Sequence, residues 1–399
     1  MILPLTCWTR RGLLLPAMID RAYQAALGRL RAWLIEDSLP IWADIGVDRK
    51  RGGFVEAIGQ NGHAIERPRR ARVVGRQVYS FHVSGKCGWL DEAANVTHHG
   101  ANALYRHCSH PDGLVFPVIS GDGRILDRRF DLYDHAFVLL ALSSLAESEP
   151  QASNAAIRMI TAMERFRRRS GGWTATSPVN EALLSNPHMH MLEACLAFER
   201  LPSCNSIWSK LSNEIVGLAL KSLINPTSGA LHEFCDLDLG ITSDPPLFQI
   251  EPGHQFEWAW LLRSWNARVE DPVVEQAAAR LVTIAETYGV DNRGIVIDGL
   301  DANLSPVAKS ARLWPQTERL KANIQAAALT SGVARRVAVA RATQAIEAIS
   351  CFTATAGRGL WFDRMDHAGR CVDAPAPAST LYHIVCAIEY CERILIELQ

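Results

Sequence analysis

Two short segments place histidines beside other polar side chains at helical spacing. In residues 186–193 (NPHMHMLE), Asn186 and His190 are four positions apart, and in residues 251–258 (EPGHQFEW), His254 and Glu257 are three apart. Side chains at these spacings share one face of a helix. A proline precedes each pattern, as at a helix N-terminus. We therefore predict that both pairs project from helix starts, with Glu257 orienting His254 or setting its basicity.

Arginine and aromatic side chains accumulate in two further segments, residues 72–79 (RVVGRQVY) and 312–318 (RLWPQTE), and in the phrases YDH at 133–135 and LYH at 381–383. An imidazole has an unperturbed pKa of about 6.5, so it can accept and return a proton near neutral pH. An arginine stays charged and can bind two neighbouring oxygens at once. These residue types suit proton transfer with stabilisation of a developing negative charge.

Simpler interpretations compete with each candidate, since a single histidine or tryptophan is more often a core or surface residue. His188 and His190 suggest a metal site, but side chains two apart point to different helix faces, and no cysteine or carboxylate cluster matches them. We therefore expect no metal. Asp236 and Asp238 could mimic the two carboxylates of a glycosidase, but spacing gives no reason to prefer them over the histidines.

The elements that must position these residues are mostly helical. Strongly apolar segments with helical periodicity recur along the chain, separated by short strand-like pieces such as residues 114–119 and 359–362. These pieces are too short and too far apart for a βαβ sheet, and Gly121 and Gly123 lack the third glycine of a dinucleotide-binding loop. We predict an all-α protein of about a dozen helices in antiparallel hairpins, with β ribbons at the connections. A closed ring of hairpins would leave a funnel where loops converge.

Composition excludes several classes of partner. The 399 residues include 41 basic and 42 acidic side chains, for a formal net charge of -1, which argues against nucleic acid or an anionic membrane as the main partner. The basic run 67–72 is predicted to be a solvated face, with a phosphate contact as the alternative because the run leads towards Arg76. Ten cysteines without a C-x-x-C pair favour reduced thiols and a cytoplasmic location.

Six phrases in order, RQVYSF, DLYDHAFVLLAL, NPHMHMLEA, EPGHQFEWAWLL, RLWPQTE and LYHI, resemble the N-acylglucosamine 2-epimerase family. That family also contains bacterial mannose isomerases, sulfoquinovose isomerase and cellobiose 2-epimerases. The resemblance implies an (α/α)6 barrel and chemistry at carbons 1 and 2 of a hexose, without a cofactor. It begins after the first 20 or so residues, so residues 21–399 are predicted to form a single catalytic domain and residues 1–20 an N-terminal extension. A monomer and a homodimer are both compatible with the sequence.

The resemblance also implies roles for ten residues. Arg76 would hold the O1/O2 region of the sugar, and Asn186 and His190 would lie at the sugar or at ring opening. The catalytic set is predicted to be His383, His254, Glu257, His190 and Arg76, and the substrate-binding set Tyr133, Asn186, Trp314, Glu318 and Trp361.

In the mechanism that we expect, His383 removes the proton from C2 of the open-chain aldose and His254 is the partner acid/base. Trp314 or Trp361 stacks on the sugar. Return of the proton to C1 gives a ketose, and its return to the other face of C2 gives the epimer. The phrases EPGHQFEWAWLL and RLWPQTE look most like the bacterial mannose isomerases, and this resemblance favours a mannose–fructose isomerase. The alternatives are 2-epimerisation of an N-acylglucosamine or a reducing-end glucose, a phosphorylated hexose as substrate, and a non-catalytic toroid that binds sugar.

Overall fold

The computed structural model describes residues 21–177, 183–202, 204–235 and 249–397. Helices dominate these residues. Their bounds are α1 Arg21–Trp33, α2 Leu39–Asp44, α3 Ala71–Lys86, α4 Ala93–Ala103, α5 Leu132–Leu145, α6 Pro150–Met163, α7 Ser185–Glu199, α8 Ser206–Leu218, α9 Pro252–Asn266, α10 Pro272–Tyr288, α11 Trp314–Leu329, α12 Gly332–Thr353 and α13 Ser379–Glu397. The π-helical turn Leu34–Ser38 joins α1 to α2 in one continuous rod.

Six helices form a closed inner ring. Each of α3, α5, α7, α9 and α11 packs against the next, and α13 packs back against α3. The helices α4, α6, α8, α10 and α12 each cover the inner helix that precedes them, and α1 packs against α12 and α13. This arrangement confirms the predicted (α/α)6 barrel.

The sequence explains which helices lie inside. An inner helix contacts protein on every side, so it needs apolar residues all round rather than on one stripe. In α5, every residue except Tyr133 is buried, whereas the outer helix α6 buries only the stripe Ala152, Ala156, Met159, Ile160 and Met163. Polar residues of the inner helices therefore need a partner, as Arg319 of α11 finds in Glu286 of α10, or a place where the ring opens.

Short antiparallel ribbons surround one end of the ring. The strands are β1 Ala57–Ile58, β2 Ala64–Ile65, β3 Arg69–Arg70, β4 Val118–Ile119, β5 Ile125–Asp127, β6 Leu183–Leu184, β7 Phe234–Cys235, β8 Gly299–Leu300, β9 Pro306–Ala308, β10 Ala311–Arg312, β11 Arg364–Met365 and β12 Ala376–Pro377. They pair as β12-β1-β2, β3-β4-β5, β6-β7, β8-β9 and β10-β11. Since β3, β6, β10 and β12 each lead into an inner helix, the ribbons frame the N-terminal ends of the ring, where the funnel was predicted.

A recurring side chain in the first turn of four inner helices anchors these loops. It accepts a hydrogen bond from a backbone N–H of the preceding loop, in the pairs His135 with Val115, His188 with Trp173, Gln255 with Leu231 and Gln316 with Val296. His188 also bonds through Nδ1 to the carbonyl of Leu184 at 2.7 Å, so both of its nitrogens are engaged. Its role is therefore structural.

Close approach of two inner helices requires a glycine in α3. A Cβ at Gly75 would lie 2.5 Å from the carbonyl oxygen of Phe137 in α5, and neither backbone can yield easily. The contact positions Arg76 beside Tyr133 at the mouth of the ring.

None of the described helices is both long and apolar enough to cross a membrane. The predicted extension at residues 1–20 and the pair Asp236 and Asp238 lie outside the described residues.

Candidate active site

The N-terminal ends of the inner helices converge on a polar cavity of about 310 Å³. It lies beside a wider space of about 600 Å³ that Arg72, Glu233 and Phe234 help to line. Cavities of roughly this size bind small molecules. Eight of the ten predicted residues line the smaller space, namely Arg76, Tyr133, Asn186, His190, His254, Glu257, Trp314 and His383.

The two histidines predicted to move the proton flank one tryptophan. The ring centroid of Trp314 is 5.0 Å from that of His254 and 5.4 Å from that of His383. Both histidines are only 5% exposed, yet both line the cavity. They therefore face a common space, as the mechanism requires.

Each of these imidazoles is held by a carboxylate. His254 Nδ1 lies 2.7 Å from Glu233 Oε2, and His383 Nδ1 lies 2.8 Å from Glu318 Oε1. A carboxylate at Nδ1 fixes the tautomer and the orientation of the ring. Nε2 is thereby left as the nitrogen available to a substrate.

The surroundings shift the pKa values of the two rings in opposite directions. Burial alone would lower the pKa of His254, but the charges of Glu233 and Glu251 outweigh it and raise the pKa to about 9. Burial lowers the pKa of His383 well below its usual value, and the nearby cations Arg76 and Lys321 add to this. Groups whose pKa values are pushed apart can divide the roles of acid and base. These directions favour the protonated form of His254 and the neutral form of His383.

The prediction that Glu257 orients His254 is wrong in its geometry. That place is taken by Glu233, which precedes β7, with Glu251 Oε2 at 3.4 Å from the same Nδ1. Glu257 lies instead 4.0 Å from His190 Nδ1. Glu233 was missed because it comes from a separate loop 21 residues away, and a spacing argument within one helix cannot find it.

Glu257 is fully buried, and neither of its carboxylate oxygens has a hydrogen-bond partner among the described residues. Burial, and then the charge of Glu318, raise its pKa well above the usual value. A protonated carboxyl can donate a hydrogen bond. Because Glu257 lines the cavity, a substrate oxygen could receive it.

A charged cluster lies beneath the cavity. Lys321 Nζ is fully buried, 2.6 Å from Glu318 Oε2 and 3.8 Å from the ring of Trp260. Glu193 Oε2 lies 3.0 Å from His190 Nδ1 and Glu193 Oε1 accepts a hydrogen bond from Tyr382. The helical spacings 190/193 and 318/321 in the sequence could have indicated both pairs. Glu318 thus lies behind His383, although it was predicted to bind substrate.

Arg76 offers an unpaired positive charge to the cavity. Its Nη2 donates to the hydroxyl of Tyr133 at 2.6 Å, and its guanidinium lies 4.0 Å from the Phe137 ring. Its Nε has no hydrogen-bond partner among the described residues. The side chain is 6% exposed, so a negative charge that develops beside it would be poorly screened and strongly stabilised.

Residues 52–387 match the family model described as N-acylglucosamine 2-epimerase (GlcNAc 2-epimerase). The chain belongs to this family. A protein of Rhizobium meliloti (strain 1021) named mannose-6-phosphate isomerase is 39% identical over 378 residues, which cover 92% of this chain and 97% of the relative. A D-mannose isomerase of Thermobifida fusca is 26% identical over 257 residues, covering 58% of this chain and 62% of the relative.

Solved structures show the same fold in family enzymes. One titled D-mannose isomerase aligns with a TM-score of 0.79 at 20% identity, covering 96% of this chain and all of that one. The cellobiose 2-epimerase of Bacillus thermoamylovorans B4167 aligns with a TM-score of 0.79 at 16% identity, covering 93% and 100%. The solved structures show the shared fold, and the family membership with the curated relatives identifies the protein as an enzyme of the sugar isomerase and epimerase class.

Trp361 does not occupy the place that the resemblance to the family implied. Its side chain is fully buried and stacks on Trp42 at 5.1 Å, with Trp33 edge-on at 6.5 Å. It therefore packs the core between the β11 loop and the rod formed by α1 and α2, and Trp314 is left as the predicted stacking residue that lines the cavity.

Among the residues that the structure describes, three groups of side chains could offer donor atoms to a metal ion. They are His190 with Glu193 and Glu257, His254 with Glu233 and Glu251, and His383 with Glu257 and Glu318. In each group, the Nδ1 of the histidine already lies within 3.0 Å of a carboxylate oxygen. These histidine–carboxylate contacts suit acid–base chemistry without further groups.

Proposed function

We propose that the enzyme interconverts an aldose and a ketose of the mannose–fructose type through an enediolate. The observation that carries this proposal is the pair His254 and His383, which share one cavity with unpaired Arg76 but differ in protonation. Two curated relatives are named mannose-6-phosphate isomerase and D-mannose isomerase, and both names favour isomerisation over 2-epimerisation for the same set of side chains.

In the first step, the neutral Nε2 of His383 accepts the proton from C2. The C2–H electron pair becomes the C1–C2 double bond, and the carbonyl electrons move to O1. Arg76 stabilises the negative charge that develops on O1 as the C2 proton leaves, and imidazolium His254 then donates a proton to O1 to give the enediol. Positioned donors at a developing oxyanion are worth about 10²–10³ in rate.

In the second step, His383 returns its proton to C1. The C1–C2 double-bond electrons form the new C1–H bond, O2 becomes the carbonyl, and the proton from the O2 hydroxyl passes back to His254. Both histidines regain their starting states, so no net proton is consumed. A separate oxidant or reductant is not required.

Ring opening must come before this chemistry, since C2 is acidic only in the open-chain aldose. We propose that Glu257 donates its proton to the ring oxygen while neutral His190 accepts the proton of the O1 hydroxyl. Burial lowers the pKa of His190 to about 4, so it is a neutral acceptor at physiological pH. Glu257 Oε1 lies 4.0 Å from His190 Nδ1, which supports the joint action of both side chains on the sugar ring.

Incubation in deuterated water with mannose, fructose, glucose and N-acetylmannosamine tests the proposal. We expect mannose and fructose to interconvert with deuterium at C1 of fructose. A C2 epimer labelled at C2 would instead show an epimerase, and the absence of turnover and label with these four sugars and with mannose 6-phosphate would show a binding toroid.

Variants separate the catalytic histidines from structural ones. His383→Gln and His254→Gln should each lower kcat by about 10²–10⁴, the usual contribution of general acid–base catalysis. His188→Gln is the matched control, because His188 is equally buried but holds the backbone of Trp173. Wild-type turnover in either of the first two variants would refute the role of that histidine.

We also propose a cytoplasmic location. The cysteines of the described residues are free thiols, among them the exposed Cys87, Cys204 and Cys351, which fits a reducing compartment. The choice between monomer and homodimer stays a prediction that light scattering would decide.

A further inference from the structure

Lys321 is a buried cation that the proposed reaction steps do not use. Its side chain is fully buried beneath the cavity, with Nζ 2.6 Å from Glu318 Oε2 and 3.8 Å from the ring of Trp260. Burial disfavours the charge, but the carboxylates of Glu318, Glu257 and Glu193 outweigh burial and raise the pKa of Lys321. The lysine therefore stays charged, and it can act on a substrate only through another side chain.

The fold alone does not require a charge at this position. Moving an ammonium group out of water is costly, and replacing a buried ion pair by apolar side chains of similar size is often neutral or stabilising. Other buried polar residues of α11 anchor a loop, as Gln316 does, or an outer helix, as Arg319 does. Among the described residues, Lys321 has its one ion pair with Glu318 of its own helix. A cost of this kind without a structural contact is typical of a functional position.

Glu318 connects Lys321 to the proposed base. Its Oε2 faces Lys321 Nζ, and its Oε1 lies 2.8 Å from His383 Nδ1. An ionised carboxylate accepts a hydrogen bond from Nδ1 and leaves Nε2 bare, whereas a protonated carboxyl would donate to Nδ1 and leave the ring proton on Nε2. Burial raises the pKa of Glu318, and Lys321 is the leading influence that opposes this rise.

The other ionisable groups around Glu318, Lys321 and His383 do not replace the lysine. Burial shifts the pKa values of four of them so that they are uncharged at neutral pH, namely His190 of α7, Glu257 of α9, and Tyr382 and Cys386 of α13. Contact with His190 lowers the pKa of Glu193 against the effect of burial, so this residue adds a negative charge. Arg76 lines the cavity, where its charge serves the substrate.

We propose that Lys321 is a positioning residue that keeps Glu318 ionised and thereby keeps Nε2 of His383 free to accept the C2 proton. The proposal rests on the proposed isomerase function and concerns the base of that same site. Without the lysine charge, the Glu318–His383 pair would bind one more proton, on the carboxyl or on the ring. In both cases Nε2 would carry a proton, and the base would return only at higher pH.

The first test is kcat/KM for mannose from pH 4 to 10. Lys321→Met should raise the acidic limb by about one to two units and leave the alkaline limb in place, whereas Lys321→Arg should keep the wild-type profile. Arg319→Met is the matched control, because Arg319 is also buried in α11 and forms an ion pair with Glu286 of α10 at 2.8 Å. A structural role for Lys321 would lower the rate equally at every pH, and that result would overturn the proposal.

A second measurement does not depend on turnover. In protein labelled with ¹⁵N-histidine, the ring signals of His383, assigned by their absence in His383→Gln, show which nitrogen carries a proton. At pH 6 we expect a bare Nε2 in the wild type and a protonated Nε2 in Lys321→Met, or in Lys321→Gln where the methionine variant does not fold.

The two measurements together separate the role of Lys321 from the isomerase function. A protonated Nε2 in the wild type at pH 6 would overturn the proposal without any variant, as would an Nε2 that stays bare in the Lys321 variant down to pH 4. The expected ring signals in a protein that turns over no sugar would overturn the isomerase function, while the effect of Lys321 on the Glu318–His383 pair would stand.

Discussion

Replacing Glu233 with glutamine should move the alkaline limb of the pH–rate profile to lower pH. Glutamine keeps an oxygen that can accept the hydrogen bond from His254 Nδ1, which Glu233 now accepts at 2.7 Å. The variant therefore removes charge with little change in shape. Since His254 acts as the protonated partner, activity falls as the pH rises through its pKa.

The expected shift of the alkaline limb follows from the opposing effects of burial and of two carboxylates on the pKa of His254. Its pKa rises from 6.5 to about 9 even though burial acts in the opposite direction, and a rise of this size corresponds to about 3 kcal/mol in favour of the charged ring. Glu233 is the leading cause of the rise and Glu251 the second. Loss of the first charge should lower the alkaline limb by about one to two units, or about 1–3 kcal/mol.

The assay is kcat/KM from pH 5 to 10 for the wild type, Glu233→Gln, Glu251→Gln and a surface control, Glu275→Gln. Glu275 forms an ion pair with Arg263 far along α9 and should leave the profile unchanged. Glu251→Gln should give a smaller shift than Glu233→Gln, because Glu251 lies at 3.4 Å from Nδ1 and is shared with Arg312. The acidic limb, which reports neutral His383, should stay well below pH 6.5 in every variant.

An alkaline limb that remains near pH 9 in Glu233→Gln would refute the reasoning, provided that the variant has the wild-type thermal transition. The same result would remove His254 as the acid that protonates O1. A limb that shifts equally in Glu275→Gln would show that the whole field of the protein, rather than contact with Glu233, sets the pKa.

Three further outcomes follow from single contacts. Gly75→Ala should destabilise the protein by about 1–3 kcal/mol in urea unfolding, because its Cβ would meet the backbone of α5. Gly28→Ala is the control and should be neutral or stabilising, since a Cβ there would have nothing within 4 Å. Equal effects of the two substitutions would contradict the close approach of α3 to α5. His188→Gln should retain activity and should resist unfolding by acid better than the wild type. Burial lowers the pKa of His188 to about 4, so the stability that neutral His188 contributes is present above pH 6.5 and is lost as the pH falls towards 4. Unfolding experiments at pH 7 and pH 5 measure this difference. Arg76→Lys should lower kcat about 10²–10³-fold at unchanged melting temperature, and a change in KM alone would argue against charge stabilisation.

The barrel could be predicted because its signals are local and repeated. The burial of an apolar helix such as α5 can be predicted from its own sequence, and a proline before His190 or His254 indicates a helix start. Similarly, eight of the ten predicted side chains line the cavity, because each belongs to the first turns of an inner helix, where polar residues are otherwise unfavourable.

The sequence could not predict which side chains from different helical hairpins contact each other. Glu233 reaches His254 from a different loop, and Glu318 of α11 reaches His383 of α13; in each case ring closure rather than spacing brings the groups together. Trp361 shows the opposite error: a tryptophan beside a ribbon matched the family pattern, but packing against Trp42 determines its place.

The two histidine–carboxylate pairs have similar geometry, yet the pKa values of their imidazoles shift in opposite directions. The difference lies in the charged residues around each carboxylate. Behind His383, the charge of Glu318 is matched by Lys321 at 2.6 Å in a fully buried setting, so little negative potential reaches the imidazole and burial dominates. Behind His254, two carboxylates act together and outweigh burial, although Arg312 binds one of them, Glu251. Burial with the nearby cations Arg76 and Lys321 thus favours the neutral form of His383, whereas two carboxylates favour the charged form of His254, and this contrast supports the proposed roles of base and acid.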